Sequence, residues 1–138
     1  MYFTRSALET IIPPVFLIEA LDDDADGHED SGLYDELAAA ANAACDEFLA
    51  RRYPVPMTPV PAMVSNAAKI FAAEMIYQRR GLYGDKNPFT NRADAHRVTL
   101  ENIATGKVTF GAAAAPTASP ISIITESAGT VPASRLNG

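Results

Sequence analysis

A chain of 138 residues with 48% hydrophobic and 20% charged side chains has the make-up of one globular domain with a modest core, which excludes wholesale disorder. Its 17 acidic residues against 11 basic ones leave a net charge of −6. That balance argues against a protein that grips a phosphate backbone, because such affinity comes from clustered Lys and Arg, and does not exclude one that DNA slides past.

The N-terminus, M-Y-F-T-R-S-A-L-E-T, lacks the basic region and unbroken apolar run of a secretion signal. The stretch I-I-P-P-V-F-L-I is too short and too interrupted by proline to cross a membrane. The chain is therefore expected to be soluble and made in the cytoplasm. A first helix is predicted from Thr4 or Ser6, with Ser6 and Glu9 spaced as a capping box and Pro13-Pro14 ending or redirecting it.

Residues 21–32 follow, L-D-D-D-A-D-G-H-E-D-S-G. Counted from Asp22, the carboxylates of Asp22, Asp24 and Asp26 fall at positions 1, 3 and 5 of an EF-hand loop, with Gly27 at the turning position 6. Position 12, where a bidentate carboxylate closes the sphere, is Leu33, and the normally apolar position 8 is Glu29. A hydrocarbon supplies no oxygen, so the run reads as a solvated connection between helices, with no metal site expected.

A second helix is predicted over about residues 32–51, where Leu37, Ala41, Ala44, Cys45, Phe48 and Leu49 recur on one face and Asp35 and Glu36 suit the dipole of the first turn. Cys45, the lone cysteine, lies on that face and reads as a small buried hydrophobe. Next comes R-R-Y-P-V-P-M-T-P-V-P, a stiff Pro-rich crossover in which each proline holds the preceding residue extended. A third helix begins near Pro59 or Pro61, carries Met63, Ala67, Ile70, Phe71 and Met75 on one side, and closes on Arg79-Arg80-Gly81. A fourth spans about residues 90–105, buries Leu100, Ile103 and Ala104, and stops at Gly106; residues 107–110 suit a short extended segment. The fold class is all-α: a small four-helix bundle with a Pro-rich crossover over residues 1–111, followed by an extended C-terminal arm over residues 112–138.

The arm is rich in Ala, Ser, Thr and Pro, and its only sizeable hydrophobes are Ile121, Ile123, Ile124, Val131 and Leu136. Five aliphatic side chains cannot offset an ordering cost of roughly 1 to 2 kcal/mol per residue over such a length. The arm is therefore expected to take its order from a partner, for instance by strand addition along P-I-S-I-I-T, which makes these five residues candidate partner contacts. Arg51-Arg52 and Arg79-Arg80 suit helix C-termini, and also contacts with nucleic acid or acidic partner surfaces, which adds Arg51 and Arg52 to the candidate partner contacts.

No constellation for chemistry stands out. His28 and His96 have no second histidine or cysteine at metal spacing, no phosphate loop or nucleophile elbow occurs, and the adjacent carboxylates Asp46 and Glu47 point apart on their helix. The chain is expected not to be an enzyme and to use no cofactor.

The order of these features resembles the Mu-like phage family of small head-tail joining proteins. The resemblance covers about residues 1–111 and rests on F-L-A-R-R-Y-P-V-P-M (residues 48–57), on Y-Q-R-R-G closing the third helix, and on I-A-T-G-K-V-T-F-G (residues 103–111). It implies an adaptor in the virion neck, made in the bacterial host cytoplasm, whose subunits form a homo-oligomeric ring of about twelve beneath the portal. Its partners would be the portal protein and a downstream neck or tail protein, with DNA passing through. Arg52, Tyr53, Pro54 and Pro56 match the family's turn, and Gly106 and Lys107 its helix stop. Within that picture Asp22, Asp23, Asp24 and Asp26 are candidates to line the DNA channel and repel the phosphates. A neck stopper or head-completion protein is the neighbouring alternative; a calcium-binding helical module and a small DNA-binding regulator are alternatives of other classes. A mobility-shift assay with duplex DNA across a salt series is expected to show no binding, and a shift that weakens steeply with salt would favour the regulator.

Overall fold

The computed structural model describes residues 1–110. Five α-helices and one 3-10 turn follow in the order α1 (Arg5–Leu8), α2 (Pro14–Ala20), α3 (Leu33–Leu49), α4 (Ala62–Arg79), the 3-10 turn (Gly84–Lys86) and α5 (Thr90–Ala104), with no strand among the described residues. The all-α bundle expected from periodicity is present. The arm, residues 112–138, lies outside the described residues.

Helix α4 is the hub: α1, α2, α3 and α5 all pack against it, and α3 also meets α5. Its apolar residues extend well beyond one stripe. Val64, Ala67, Ala68, Ile70, Phe71, Ala72, Ala73 and Ile76 are all buried, while Met63 and Met75 are partly covered. The many alanines let neighbouring helices approach closely, since interaxial distance follows the size of the side chains at the contact. Around this axis α3 contributes Leu37, Ala38, Ala41, Cys45 and Leu49, α5 contributes Ala93, Leu100, Ile103 and Ala104, and the N-terminal segment adds Tyr2, Phe3, Leu8, Ile12, Leu17 and Leu21.

The N-terminal region departs from the single predicted helix. Thr4, not Ser6, caps α1 by accepting from the Ala7 amide at 3.1 Å, and the helix ends after one turn. Pro13 and Pro14 then start a second helix instead of closing the first: Pro14 sits at the first helical position of α2. There its missing N–H is no loss and its fixed φ is already helical. The bundle therefore carries five α-helices, the predicted first one being two short pieces.

The two predicted glycine stops are Schellman closures. After α4, Gly81 has φ +80, its amide bonds to Gln78 at 2.9 Å and the Leu82 amide to Tyr77 at 3.1 Å. After α5, Gly106 has φ +85, its amide bonds to Ile103 at 3.1 Å and the Lys107 amide to Asn102 at 2.8 Å. Residues 107–110, predicted as an extended segment, pair with no strand; Phe110 instead packs its ring 5.1 Å from that of Tyr53.

The buried polar side chains Glu74 and Asn87 are hydrogen-bonded. Glu74, 4% exposed in the middle of α4, accepts from the Arg97 guanidinium on α5. The buried Asn87 amide donates to the carbonyls of Glu74 at 3.0 Å and Leu82 at 3.2 Å while its oxygen accepts from the Phe89 amide. This side chain joins the end of α4 to the start of α5.

The Pro-rich crossover, residues 50–61, contains cis bonds at Val55–Pro56 and Thr58–Pro59. It is held by Tyr53 and Met57, both buried, and by Tyr2. The Tyr2 hydroxyl accepts from the Met57 amide at 3.0 Å and donates to Asp46 on α3, and the Tyr2 amide donates to Asn42 at 3.2 Å. Burial, reinforced by the bond to Asp46, pushes this phenol up from 10.0 to about 12. Folding thus favours the protonated phenol, so the stability it contributes is whole below pH 10.0 and lost as pH rises through about 12. Tyr2→Phe leaves the buried Met57 amide without its acceptor and is expected to cost about 1 to 3 kcal/mol in denaturant titrations at neutral pH. The same variant should lose the part of the alkaline fall in stability that belongs to this phenol, and an unchanged alkaline limb would show that other groups carry it.

Candidate functional site

One end of the bundle gathers the acidic residues. The loop between α2 and α3 folds around its own carboxylates: Asp22 accepts from the amides of Gly27 at 2.7 Å and Asp26 at 3.1 Å, Asp26 from that of His28 at 2.8 Å, and Asp30 from that of Asp23 at 3.1 Å. Side chains of this type bonding to backbone two to five residues on make compact turns. Asp22, Asp24, Asp26 and Asp30 bring one carboxylate oxygen each within 4.8 Å of one another. Burial acts to raise the Asp22 carboxyl, but hydrogen bonds from Gly27, Asp24 and the amides beyond it prevail and hold it below its usual value. The adjoining Asp22 carboxyl raises Asp24 above its usual value. The arrangement offers a partial oxygen shell for a cation, and it includes Asp30, which the sequence reading left out. Asp30 stands at position 9 of the register counted from Asp22, a position that often coordinates through water. Leu33, at position 12, is instead part of the apolar packing of α3.

Arginines fasten this loop at both sides. Arg5 forks onto Glu29, bonds Glu9 at 3.3 Å, and lies over the Tyr34 ring at 4.9 Å. Arg79 bonds Asp23 at 2.6 Å and the Ala20 carbonyl at 2.9 Å, tying α4 to the end of α2. Of the four candidate channel residues, Asp23 is therefore ion-paired, Asp22 is half-buried as an acceptor for the turn, and Asp24 and Asp26 are exposed.

The candidate contacts Arg51 and Arg52 lie at the other end, in the turn after α3. Arg51 reaches Glu101 on α5 at 3.2 Å. Arg52 lies against the Gly106 turn, with its Nε buried and no hydrogen-bond partner for it among the described residues. The structure does not bring these arginines together with the acidic loop. Ile121, Ile123, Ile124, Val131 and Leu136 lie outside the described residues.

A feature with no signature in the sequence is an open groove of about 440 Å³ between the first half of α3 and the second half of α4. Leu33, Leu37, Ala40, Met75 and Tyr83 form its apolar lining, and Arg79 stands at its rim. Tyr83, in the turn after α4, is 63% exposed.

Cys45 is fully buried on α3, and desolvation pushes its thiol up to about 12, which suits packing and not nucleophilic attack. His96 is half-buried on α5, where burial and then the charge of Arg92 lower its pKa, and His28 is exposed in the acidic loop.

A family model described as Bacteriophage Mu, Gp36 matches residues 2–123. The match runs past Gly111, so the similarity does not stop at the end of the helical body, as the motif reading expected, but continues into the first part of the arm. No curated protein matches the chain.

Calorimetric titration of the full chain with calcium is expected to show no micromolar binding, because four clustered carboxylates lack the bidentate one that closes a tight site. Micromolar heat would reinstate the calcium module.

Proposed function

Because the chain belongs to the Bacteriophage Mu Gp36 family, which makes it a phage protein of structural or assembly role, we propose that it is the head-tail adaptor of the virion neck. The family match over residues 2–123 carries this reading, since it spans the helical body and part of the arm together. Copies pack side by side into a ring beneath the portal, about twelve of them by the family resemblance, and DNA passes through the opening without specific binding. The protein acts by assembly and performs no chemistry. Its partners are further copies of itself, the portal, and the next neck or tail protein.

Physical features support the reading. The described body is tied together by Glu74 and Asn87, which bond between α4 and the α5 region, and by Tyr2, which fastens the N-terminus to the crossover. Subunits in a heterologous ring need that stiffness, since small errors in each contact accumulate around the circle. The carboxylates of Asp22, Asp24 and Asp26 at one end, with ion-paired Asp23 beside them, give a negative tip that repels phosphate if it lines the channel. A ring structure with residues 22–26 on the outer rim would remove that part.

Phage carrying a stop codon in the gene for this chain should accumulate DNA-filled heads and unattached tails, as seen by electron microscopy of lysates. Joined particles would overturn the adaptor role. Truncation after Gly111 should give the same separated particles while the purified body retains its helical circular dichroism. Cross-links from the ring should reach the portal, and cross-links confined to a ring further down would make the chain a stopper.

A further inference from the structure

A largely apolar groove lies open between α3 and α4, and the sequence supplies a segment that matches it. Residues 121–126, I-S-I-I-T-E, place three isoleucines within four positions and follow them with a carboxylate. The groove offers Leu33, Leu37, Ala40, Met75 and Tyr83 for the aliphatic side chains, with Glu36 and Gln78 completing the lining. Arg79 commits its Nε to the Ala20 carbonyl and its Nη2 to Asp23, which leaves Nη1 for Glu126. The described residues contain no strand whose edge could accept this segment, so the strand addition expected from the sequence has no acceptor there, whereas a groove between two helices does accept side chains.

The position of the groove indicates whose segment enters it. The described chain ends at Phe110, stacked on Tyr53 just beyond the C-terminal end of α3. The groove lies along the N-terminal half of the same helix. The end of the described chain and the groove thus sit at opposite ends of a helix of about 25 Å, which suits a heterologous contact, in which every copy both gives and receives. Extended, the spacer of residues 111–120 reaches at most about 33 to 36 Å. Filling its own groove would lay that spacer along most of the bundle, with no side chain larger than Thr or Pro to bury on the way.

We propose that residues 121–126 of one copy dock in the α3–α4 groove of a neighbouring copy, with the isoleucines on Leu37, Met75 and Tyr83 and Glu126 at Arg79. This rests on the adaptor reading only in taking copies to stand side by side; it names the surface through which they join.

The test uses the full chain in solution and two variants. One carries Ile123→Asp with Ile124→Asp, which disables the segment. The other carries Ala40→Glu with Tyr83→Ala, both exposed positions, which blocks the groove without touching the core. Sedimentation velocity should show concentration-dependent association of the wild type and a loss of at least about tenfold in affinity for each variant alone. Mixed together, the variants should form a one-to-one heterodimer, because the intact segment of the groove-blocked chain meets the intact groove of the segment-disabled chain. A synthetic peptide of residues 118–128 should shift the Met75 methyl resonance of the segment-disabled chain, a readout that holds even if the groove-blocked variant fails to fold. A wild type that stays monomeric with slow amide exchange at residues 121–125 would mean that each chain fills its own groove. Association untouched by either variant, or a silent Met75 methyl, would place the contact elsewhere. Each of these results overturns the proposal while leaving the neck role to be judged by the particles that the mutant phage makes.

Discussion

The burial of α4 on nearly all sides is the constraint from which the rest of the body follows. A helix whose apolar residues reach almost around its circumference must be covered by other elements, and α1, α2, α3 and α5 are the ones that cover it. Burial of each large aliphatic or aromatic side chain contributes about 1.5 to 3 kcal/mol, so the cover is enforced by the sum and not by any single contact. The helix also carries Glu74, which can stay inside only with a partner. Arg97 reaches it from α5 and thereby sets how α5 lies against the hub.

How much of this was legible in the sequence depended on the range of the interaction. The three long helices could be read because each carries its own evidence: the spacing of Leu37, Ala41, Cys45 and Leu49, and the glycines at 81 and 106 that only a left-handed closure explains. The split of the N-terminal helix was hidden, because a Pro-Pro pair stops one helix as readily as it starts another. Tyr2 was beyond reach for a different reason. Its partners, Asp46 and Met57, lie 44 and 55 positions away, and no local pattern marks a phenol that holds a crossover in place. The groove was equally invisible, since it is made by faces of two helices and a turn residue that do not fully cover one another.

The acidic run shows the same division. Its composition correctly announced a loop, and a hydrocarbon at Leu33 stands where an EF-hand places its closing carboxylate. What composition left open was that the carboxylates would serve as acceptors for the loop's own amides, and that Arg5 and Arg79 would clamp it from helices on either side. Part of the negative charge is thus used for folding. Asp24 and Asp26 remain outward at the tip, while Arg51 and Arg52 lie at the opposite end of α3, where Arg51 pairs with Glu101.

The closure at Gly106 has a consequence for everything that comes after it. The Asn102 carbonyl accepts from both the Lys107 and the Val108 amides, and Phe110 is then seated on Tyr53. The polypeptide therefore leaves the body from a surveyed point and with a set bearing. Two hydrogen bonds and one tilted aromatic contact thus fix the exit of the chain at the end of α5 next to the crossover.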